Sequence, residues 1–501
     1  MISRRLFLSA ALGALGTAAQ AQTEGLLPFT GPDSAPRPKM RPVTGTTPGE
    51  RGLEAILRAA NVSGETHFAV ADAATGSVLE QRDGDIGLPP ASVTKALTAL
   101  YALDVLGPSH RFRTRLLTTG PVTAGVLQGD LILAGGGDPT MDSDHLAALA
   151  DDLKAAGVVE VRGRFLVWDR ALPYVPTIDP GQPDYLGYSP AISGLALNFN
   201  RVHFEWKRAG QGWNTTLQAR TAHRRPDVTM ARMKIVDRSA PVFAYLHERG
   251  VDSWSVARAA LGKEGARWLP VRRPGLYAAD VFRTIARDKG LRLGVPEFLD
   301  QAPEGTPIAQ HSSEPLTKLL KDMLKYSNNL MAEMIGLAAT ARIGGDMTNL
   351  ASSARQMSEW ARVKYGMTSS LLVDHSGLGE DSRLSATDLV RALSAAHGMG
   401  QLKPLLKQVH LKDSKGRPLY DHPVKVMAKT GTLNFVSGLG GFVTTADGRE
   451  LVFAIFSADL DKRAGIARSQ RERPRGAKSW NARAKRLQLQ LIERWAHLHS
   501  A

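Results

Sequence analysis

Three short polar stretches lie far apart along this chain of 501 residues, and any fold that uses them together must carry them to one place. The first is Ser92-Val93-Thr94-Lys95, directly after Pro89-Pro90-Ala91. A helical pattern follows, with Val93, Leu97, Leu100, Tyr101 and Val105 on one face. Positions three apart share a helix face, so Lys95 is expected beneath the Ser92 hydroxyl. A serine hydroxyl is a weak nucleophile at neutral pH and needs such a base. The start of a helix also favours the negative charge that develops during attack.

The second stretch, Ser327-Asn328-Asn329, falls where the helical pattern of Leu316–Tyr326 breaks before that of Leu330–Gly336. A loop between helices can aim a hydroxyl and an amide into a cleft. Ser327 is placed to relay a proton between Lys95 and a leaving amine, and Asn329 to hold the lysine and a substrate amide. The third, Lys429-Thr430-Gly431-Thr432, follows the β-type run Val424–Ala428. A strand carrying a cation and a hydroxyl can bind a terminal carboxylate while pairing with an extended peptide. Gly431 permits close backbone approach. Positive charge on Lys429 would favour the neutral form of Lys95 that a base requires. Taken singly, each stretch has an ordinary reading as a helix start, a helix cap or a strand end before a turn. Together they define one site.

Several other chemistries are excluded. Cysteine is absent, which rules out disulfides, a thiol nucleophile and a Cys-based zinc site. No HExxH, Walker A, complete GxGxxG or GxSxG pattern occurs, and neither a metal nor an organic cofactor is expected. The formal charge is +15, with much of the excess between Asp461 and Gln490, where only Asp461 and Glu472 oppose the cations. No zinc-finger or RNA-binding signature accompanies this charge, so no nucleic-acid partner is expected. A solvated loop and helix face, weakly attracted to an anionic cell envelope, is the expected reading.

The N-terminus sets the compartment. Arg4 and Arg5 precede an apolar run from Leu6 to Ala19 and the small-x-small signal Ala19-Gln20-Ala21. Residues 1–21 read as a secretory signal peptide, and Ser3–Leu8 fits the twin-arginine export pattern, so a periplasmic location is expected. Residues 22–50 read as a Pro-rich leader. Beyond it come a short helix at Gly52–Ala60 and a hairpin of Thr66–Asp72 and Ser77–Gln81. Residues 107–270 change texture to strand-like pieces, among them Arg113–Thr119, Gly129–Ala134, Val158–Trp168, Val202–Trp206, Thr215–Ala219 and Thr229–Ile235. They read as a mostly β insert, of one domain or two, within a second domain made of residues 51–106 and 271–498. That domain is expected to close with the β runs Val424–Ala428, Val436–Thr445 and Glu450–Ala458 and a final helix at Leu487–Leu498.

With the three stretches in this order and these settings, the chain resembles the D-Ala-D-Ala carboxypeptidase/endopeptidases of the class C low-molecular-mass penicillin-binding proteins. The long gap between Ser92 and Ser327 resembles that family's large insert. Leu131–Thr140 (Leu-Ile-Leu-Ala-Gly-Gly-Gly-Asp-Pro-Thr) looks like the insert signature, and Glu333 also fits. Asp374-His375-Ser376-Gly377-Leu378 with Arg383-Leu384-Ser385 looks like the family's Asp-Gly-Ser-Gly-Leu segment, with His375 in place of the usual glycine. The likeness covers roughly residues 50–460. It implies an α/β (α+β) penicillin-binding, β-lactamase-like transpeptidase fold with a mostly β insert. It further implies hydrolysis of the bond after a D-alanine in peptidoglycan stem peptides through an acyl-enzyme on Ser92, and acylation by β-lactams as inhibitors. Lys95 would be the base and Ser327 the proton relay. Asn329, Lys429, Thr430, Gly431 and Thr432 would bind substrate, with the Ser92 and Thr432 N–H groups as oxyanion hole. Two other readings share the site: a β-lactamase or esterase, which would turn over a penicillin rapidly, and an inactive cell-wall-binding scaffold, which would have no chemical need for the full set.

Overall fold

A computed structural model of the chain describes residues 52–500 apart from 249. The expected signal peptide and Pro-rich leader lie outside the described residues. The catalytic layer is built on one six-stranded antiparallel sheet. Labelled in chain order, its strands are β1 (Glu65–Asp72), β2 (Val78–Arg82), β3 (Lys407–Gln408), β4 (Lys425–Leu433), β5 (Val436–Thr444) and β6 (Glu450–Ala458), in the spatial order β3-β4-β5-β6-β1-β2. Period-two alternation divides each strand between two cores. On β1, Ala69 and Ala71 face one side while Phe68 and Val70 face the other. On β6, Val452, Ala454 and Phe456 join the first set, and Leu451, Phe453 and Ile455 the second.

The first core is closed by five helices: α2 (Thr94–Val105), α3 (Leu316–Tyr326), α4 (Asn329–Arg342), α5 (Leu350–Tyr365) and α6 (Ala386–Met399). The second is closed by α1 (Leu53–Ala60) and α7 (Ala477–Leu498), whose Ile56, Leu487, Leu491 and Trp495 are buried against the sheet. Each fully buried leucine or phenylalanine in these layers contributes about 1.5–3 kcal/mol. Helix α2 is buried on nearly every side, from Thr94 to Leu103. It is therefore the rigid post on which Lys95 stands. Helix α7 begins ten residues before the expected Leu487 start, because the apolar side chains Ala477, Trp480 and Ala484 extend its buried face.

Between α2 and α3 the chain builds a further, separate core. Its main sheet runs in the order Pro296–Phe298, Phe165–Trp168, Leu131–Ala134, Arg113–Thr118, Thr306–Ser312. Two three-stranded sheets follow: Gly212–Gln218, Arg201–Ala209 and Glu264–Pro270, then Ala231–Val236, Val251–Ala257 and Phe243–Glu248. Two helices, Ser143–Ala155 and Pro274–Asp288, pack on the same core. The insert thus draws on residues past 270, because Tyr277, Val281, Phe282 and Ile285 bury with Phe165 and Leu149 rather than with the catalytic sheet. On packing we place its end near Ser313. The helix at Ser143–Ala155 was hidden in a β texture, yet its signal was present: Leu146, Leu149, Ala150 and Leu153 recur at helical spacing behind an Asp142 cap that accepts from the Asp144 and His145 N–H groups. A separate apolar cluster joins Leu172, Ile178 and Ile192 of the insert to Leu330, Met334 and Leu337 of α4, so the insert is anchored beside Asn329.

Candidate active site

Leu88 exchanges backbone hydrogen bonds with Leu384, and by Pro90 the backbone has already turned into the right-handed helical region. Ala91 then takes a φ of +48°, unusual for a residue with a Cβ. Its carbonyl is held by the Thr94 hydroxyl at 3.0 Å. Gly377 passes so close that a Cβ there would lie 1.8 Å from the Ala91 oxygen. Strained backbone held by its surroundings in this way is characteristic of functional sites. Ser92 sits in a short 3₁₀ turn, Ala91–Val93, and the α-helix starts at Thr94. The expected three-residue relation survives, since side chains at i and i+3 eclipse in 3₁₀ geometry.

Lys95 is 0 % exposed. Its Nζ lies 3.0 Å from Ser92 Oγ, 2.8 Å from Asn329 Oδ1 and 2.7 Å from the Ser376 carbonyl oxygen. Two of these three partners can only accept. A neutral amine has two N–H groups to give them, and its lone pair is then left for the Ser92 hydroxyl. Burial pushes Lys95 down to about 8, against the opposing pull of the Glu333 and Asp374 carboxylates. Asn329 opens α4, and its amide nitrogen donates to the Tyr188 carbonyl at 3.0 Å, which fixes which end of the amide faces the lysine.

Ser327 caps α3 in the left-handed region, φ +55°. That conformation swings its hydroxyl toward the sheet, where Lys429 Nζ donates to it at 3.0 Å. Lys429 is 2 % exposed and also donates to the Thr430 carbonyl. Strand β4 runs through the whole third stretch to Leu433 rather than ending at it. Thr430 and Thr432 are exposed on one face, while Gly431 is buried against Pro90 and Ser92, where a Cβ would lie 3.1 Å from the Ser92 nitrogen. Beyond Ala428 the strand pairs only with β5 among the described residues, since β3 reaches no further than Met427 and Ala428. A free edge therefore runs past Ser92, ready to receive an extended peptide. Of the residues expected at the site, Lys95 links Ser92 to Asn329, Gly431 packs directly against Ser92, and Lys429 on the same strand holds Ser327, with Thr430 and Thr432 on either side of Gly431.

Sequence analysis singled out Glu333 and the Asp374–Leu378 segment as a likeness but gave them no role, and they lie beneath the site. The Asp374–Gly379 loop supplies the Ser376 carbonyl, and it is itself held from below. Glu333 of α4 accepts the His375 and Ser376 N–H groups at 3.0 and 2.8 Å. Asp374 accepts those of Gly377 and Gly379, both at 2.6 Å. His375 is fully buried, and burial holds it near 3, so the ring is neutral. Its Nε2 bonds the Ser353 hydroxyl at 2.8 Å, Ser353 bonds Thr340, and Thr340 bonds Tyr101 of α2. The signal for this packing is Gly336, an otherwise costly residue mid-helix. A Cβ there would lie 2.2 Å from the His375 ring. Gly336→Ala is expected to destabilise the protein by about 1–3 kcal/mol through overpacking. In a His375→Ala background the same change should turn stabilising by up to about 1 kcal/mol, the ordinary helical gain of alanine over glycine. Thermal unfolding of the four proteins checks this reversal.

The basic C-terminal stretch is only partly solvated. Arg468 donates to the Gln182 carbonyl and to Asp184, and Arg471 to the Gly181 carbonyl and Glu380. Arg463 is buried and donates to the Asn434 carbonyl. Arg468 and Arg471 thus tie the 179–188 loop of the insert to the C-terminal stretch, whereas Arg463 binds the Asn434 carbonyl at the end of β4.

A buried lysine beside a helix-start serine, a Ser-x-Asn turn and a Lys-Thr-Gly strand on an antiparallel sheet define the class of serine-acylating penicillin-binding enzymes. Within that class the chain belongs to the D-Ala-D-Ala carboxypeptidase 3 (S13) family, whose model matches residues 50–473. It is therefore a serine-type DD-peptidase. It is 28% identical over 440 residues to a D-alanyl-D-alanine carboxypeptidase of Actinomadura sp. (strain R39), covering 80% of this chain and 79% of the relative. It is 27% identical over 484 residues to the carboxypeptidase DacB of Mycolicibacterium smegmatis, covering 89% of each chain. The fold is similar to that of penicillin-binding protein 4 from Haemophilus influenzae, with a TM-score of 0.69 at 19% identity over 88% of this chain and 97% of that one. Among the described residues no helix is long and apolar enough to cross a membrane.

Proposed function

We propose that Ser92 is the residue acylated in this DD-peptidase, with Lys95 as its base. The observation that carries this reading is the lysine's contact set, in which two carbonyl-type acceptors leave only Ser92 for the amine lone pair. Ser92 Oγ attacks the carbonyl of the penultimate D-alanine while its proton passes to Lys95. The oxyanion settles between the N–H groups of Ser92 and Thr432, which the close approach of Gly431 to Ser92 brings together. As the C–N bond breaks, Ser327 gives its proton to the departing amine and regains one from Lys95, which returns the lysine to its neutral form. Water then cleaves the ester and restores Ser92. The exposed Thr430 and Thr432 hydroxyls meet the substrate carboxylate, and Lys429, already engaged with Ser327, adds its positive charge from beneath the strand. Asn329 holds the substrate amide. Terminal D-Ala-D-Ala and D-Ala-linked cross-links offer the same acyl half, so carboxypeptidase and endopeptidase reactions use one site.

A β-lactam presents a strained amide and a carboxylate to the same groups and is expected to acylate Ser92. The H. influenzae protein whose fold this chain shares is known in complex with a β-lactam, with a TM-score of 0.65. The residues 1–21 suit export by the twin-arginine route to the periplasm, where peptidoglycan is the substrate, and the exposed part of the basic stretch suits weak attraction to an anionic envelope. Mass spectrometry after incubation with a labelled penicillin tests the assignment. One long-lived adduct on the Ser92 peptide is expected. An adduct elsewhere, or none on folded protein, would overturn it, and rapid release of hydrolysed drug would point to a β-lactamase.

A further inference from the structure

Under the lysine lie two carboxylates that the reaction above does not use. Glu333 and Asp374 are each fully buried. Neither forms an ion pair within 4.0 Å among the described residues, and both grip backbone N–H groups of the loop that carries Ser376. Both oxygens of Glu333 accept, one from His375 and one from Ser376; burial pushes this carboxyl up to about 8, while those hydrogen bonds and the nearby Lys95 favour its charged form. Asp374 accepts from the Gly377 N–H, which belongs to the same peptide unit as the Ser376 carbonyl. That carbonyl receives the Lys95 amine at 2.7 Å. A chain thus runs from carboxylate to peptide N–H to peptide C=O to amine, and each link polarises the next.

We propose that Glu333 and Asp374 are positioning residues of the base: they hold the Ser376 carbonyl against Lys95 and supply the buried negative charge that sets the pH at which Lys95 can accept the Ser92 proton. This rests on the reading of Lys95 as base. The other groups around the lysine do not supply that charge. His375, in the same loop, is neutral; Asn329, from α4, is an amide; Lys429, from β4, bears no negative charge and donates to Ser327. Burial alone would favour the neutral amine so strongly that it would be a weak base. Two carboxylates restore part of its proton affinity by pulling against the burial that pushes Lys95 down. The sign follows: remove one carboxylate charge, and the amine loses its proton at lower pH.

The test is the rate of acylation by a fluorescent penicillin from pH 5 to 10. Wild type should show a rate that falls on the acid side as Lys95 becomes protonated. In Glu333→Gln the midpoint of that limb should move toward acid by about one unit or more. Asp374→Asn should move it the same way. Glu333→Asp keeps the charge on a shorter arm; its limb should stay while the plateau falls about tenfold. A merely structural role would lower rates without moving the limb, and an unmoved limb in both folded carboxamide variants overturns the proposal. Loss of folding in both would also overturn it, because the charges would then serve the fold. Failure of the base reading looks different: Lys95→Met would acylate as fast as wild type.

Discussion

Ser92→Ala should leave a folded protein that neither hydrolyses a D-Ala-D-Ala peptide nor retains penicillin. The change deletes one oxygen from a half-buried position in the middle of the 3₁₀ turn, so the helix that follows keeps its packing. Among the described residues no other hydroxyl is hydrogen-bonded to Lys95, whose remaining partners are an amide and a carbonyl oxygen. Loss of a covalent nucleophile costs about 10⁶-fold in kcat in a serine peptidase, and the residual rate comes from oxyanion stabilisation and binding. A drop of that order in release of D-alanine from a stem-peptide substrate is the expected result. Loss of less than about a hundredfold would mean that another group attacks. Because the Thr430 and Thr432 hydroxyls and the β4 edge are untouched, non-covalent substrate binding, measured by calorimetry, should survive.

The second large effect is expected at Lys95. Methionine matches the length of the lysine stem, fills the same space in α2 and lacks the amine. Acylation should fall by about 10²–10⁴-fold, the range that a positioned general base supplies. The pH dependence should change with it. The lysine is pushed down to about 8 by burial, so wild-type acylation should rise with pH through that region, and the rise should vanish in Lys95→Met. Stopped-flow measurement of penicillin binding reads both quantities. The substitution also removes the charge that partners Glu333 and Asp374, two buried carboxylates whose affinities for protons burial already raises. With the ammonium gone, these groups should hold protons to higher pH. For a group whose folded pKa is raised, stability is lost as pH climbs through the folded value. The variant should therefore lose thermal stability on the alkaline side relative to wild type.

Much of the site was legible because its first relations are local. A helix or 3₁₀ turn puts residues 92 and 95 on one face whatever surrounds it, Ser and Asn are the residues that end and begin helices, and a strand alternates its side chains whatever its neighbours. The resemblance then added the order and the insert. Local pattern failed where a helix hid in a β-rich texture, at Ser143–Ala155, and where a boundary depended on which core a helix joined, as at Pro274–Asp288. It also misjudged the basic stretch, since Arg463, Arg468 and Arg471 meet carbonyls and carboxylates that lie hundreds of residues earlier or on other loops.

What the amino-acid order determined by itself is the set of reacting groups, each presented by a turn of backbone that needs only its own neighbours. What tertiary structure decided is the setting that gives those groups their chemistry: the Ser376 carbonyl and Asn329 oxygen that orient the amine, the Tyr188 carbonyl that orients Asn329, the carboxylates of Glu333 and Asp374 below, and the His375 ring that only Gly336 leaves room for. The physical reason is reach. Hydrogen-bond geometry within a turn follows from short-range sterics, whereas proton affinity in a buried pocket follows from every charge and dipole that folding brings within a few ångströms, and those come from segments with no pattern linking them along the chain.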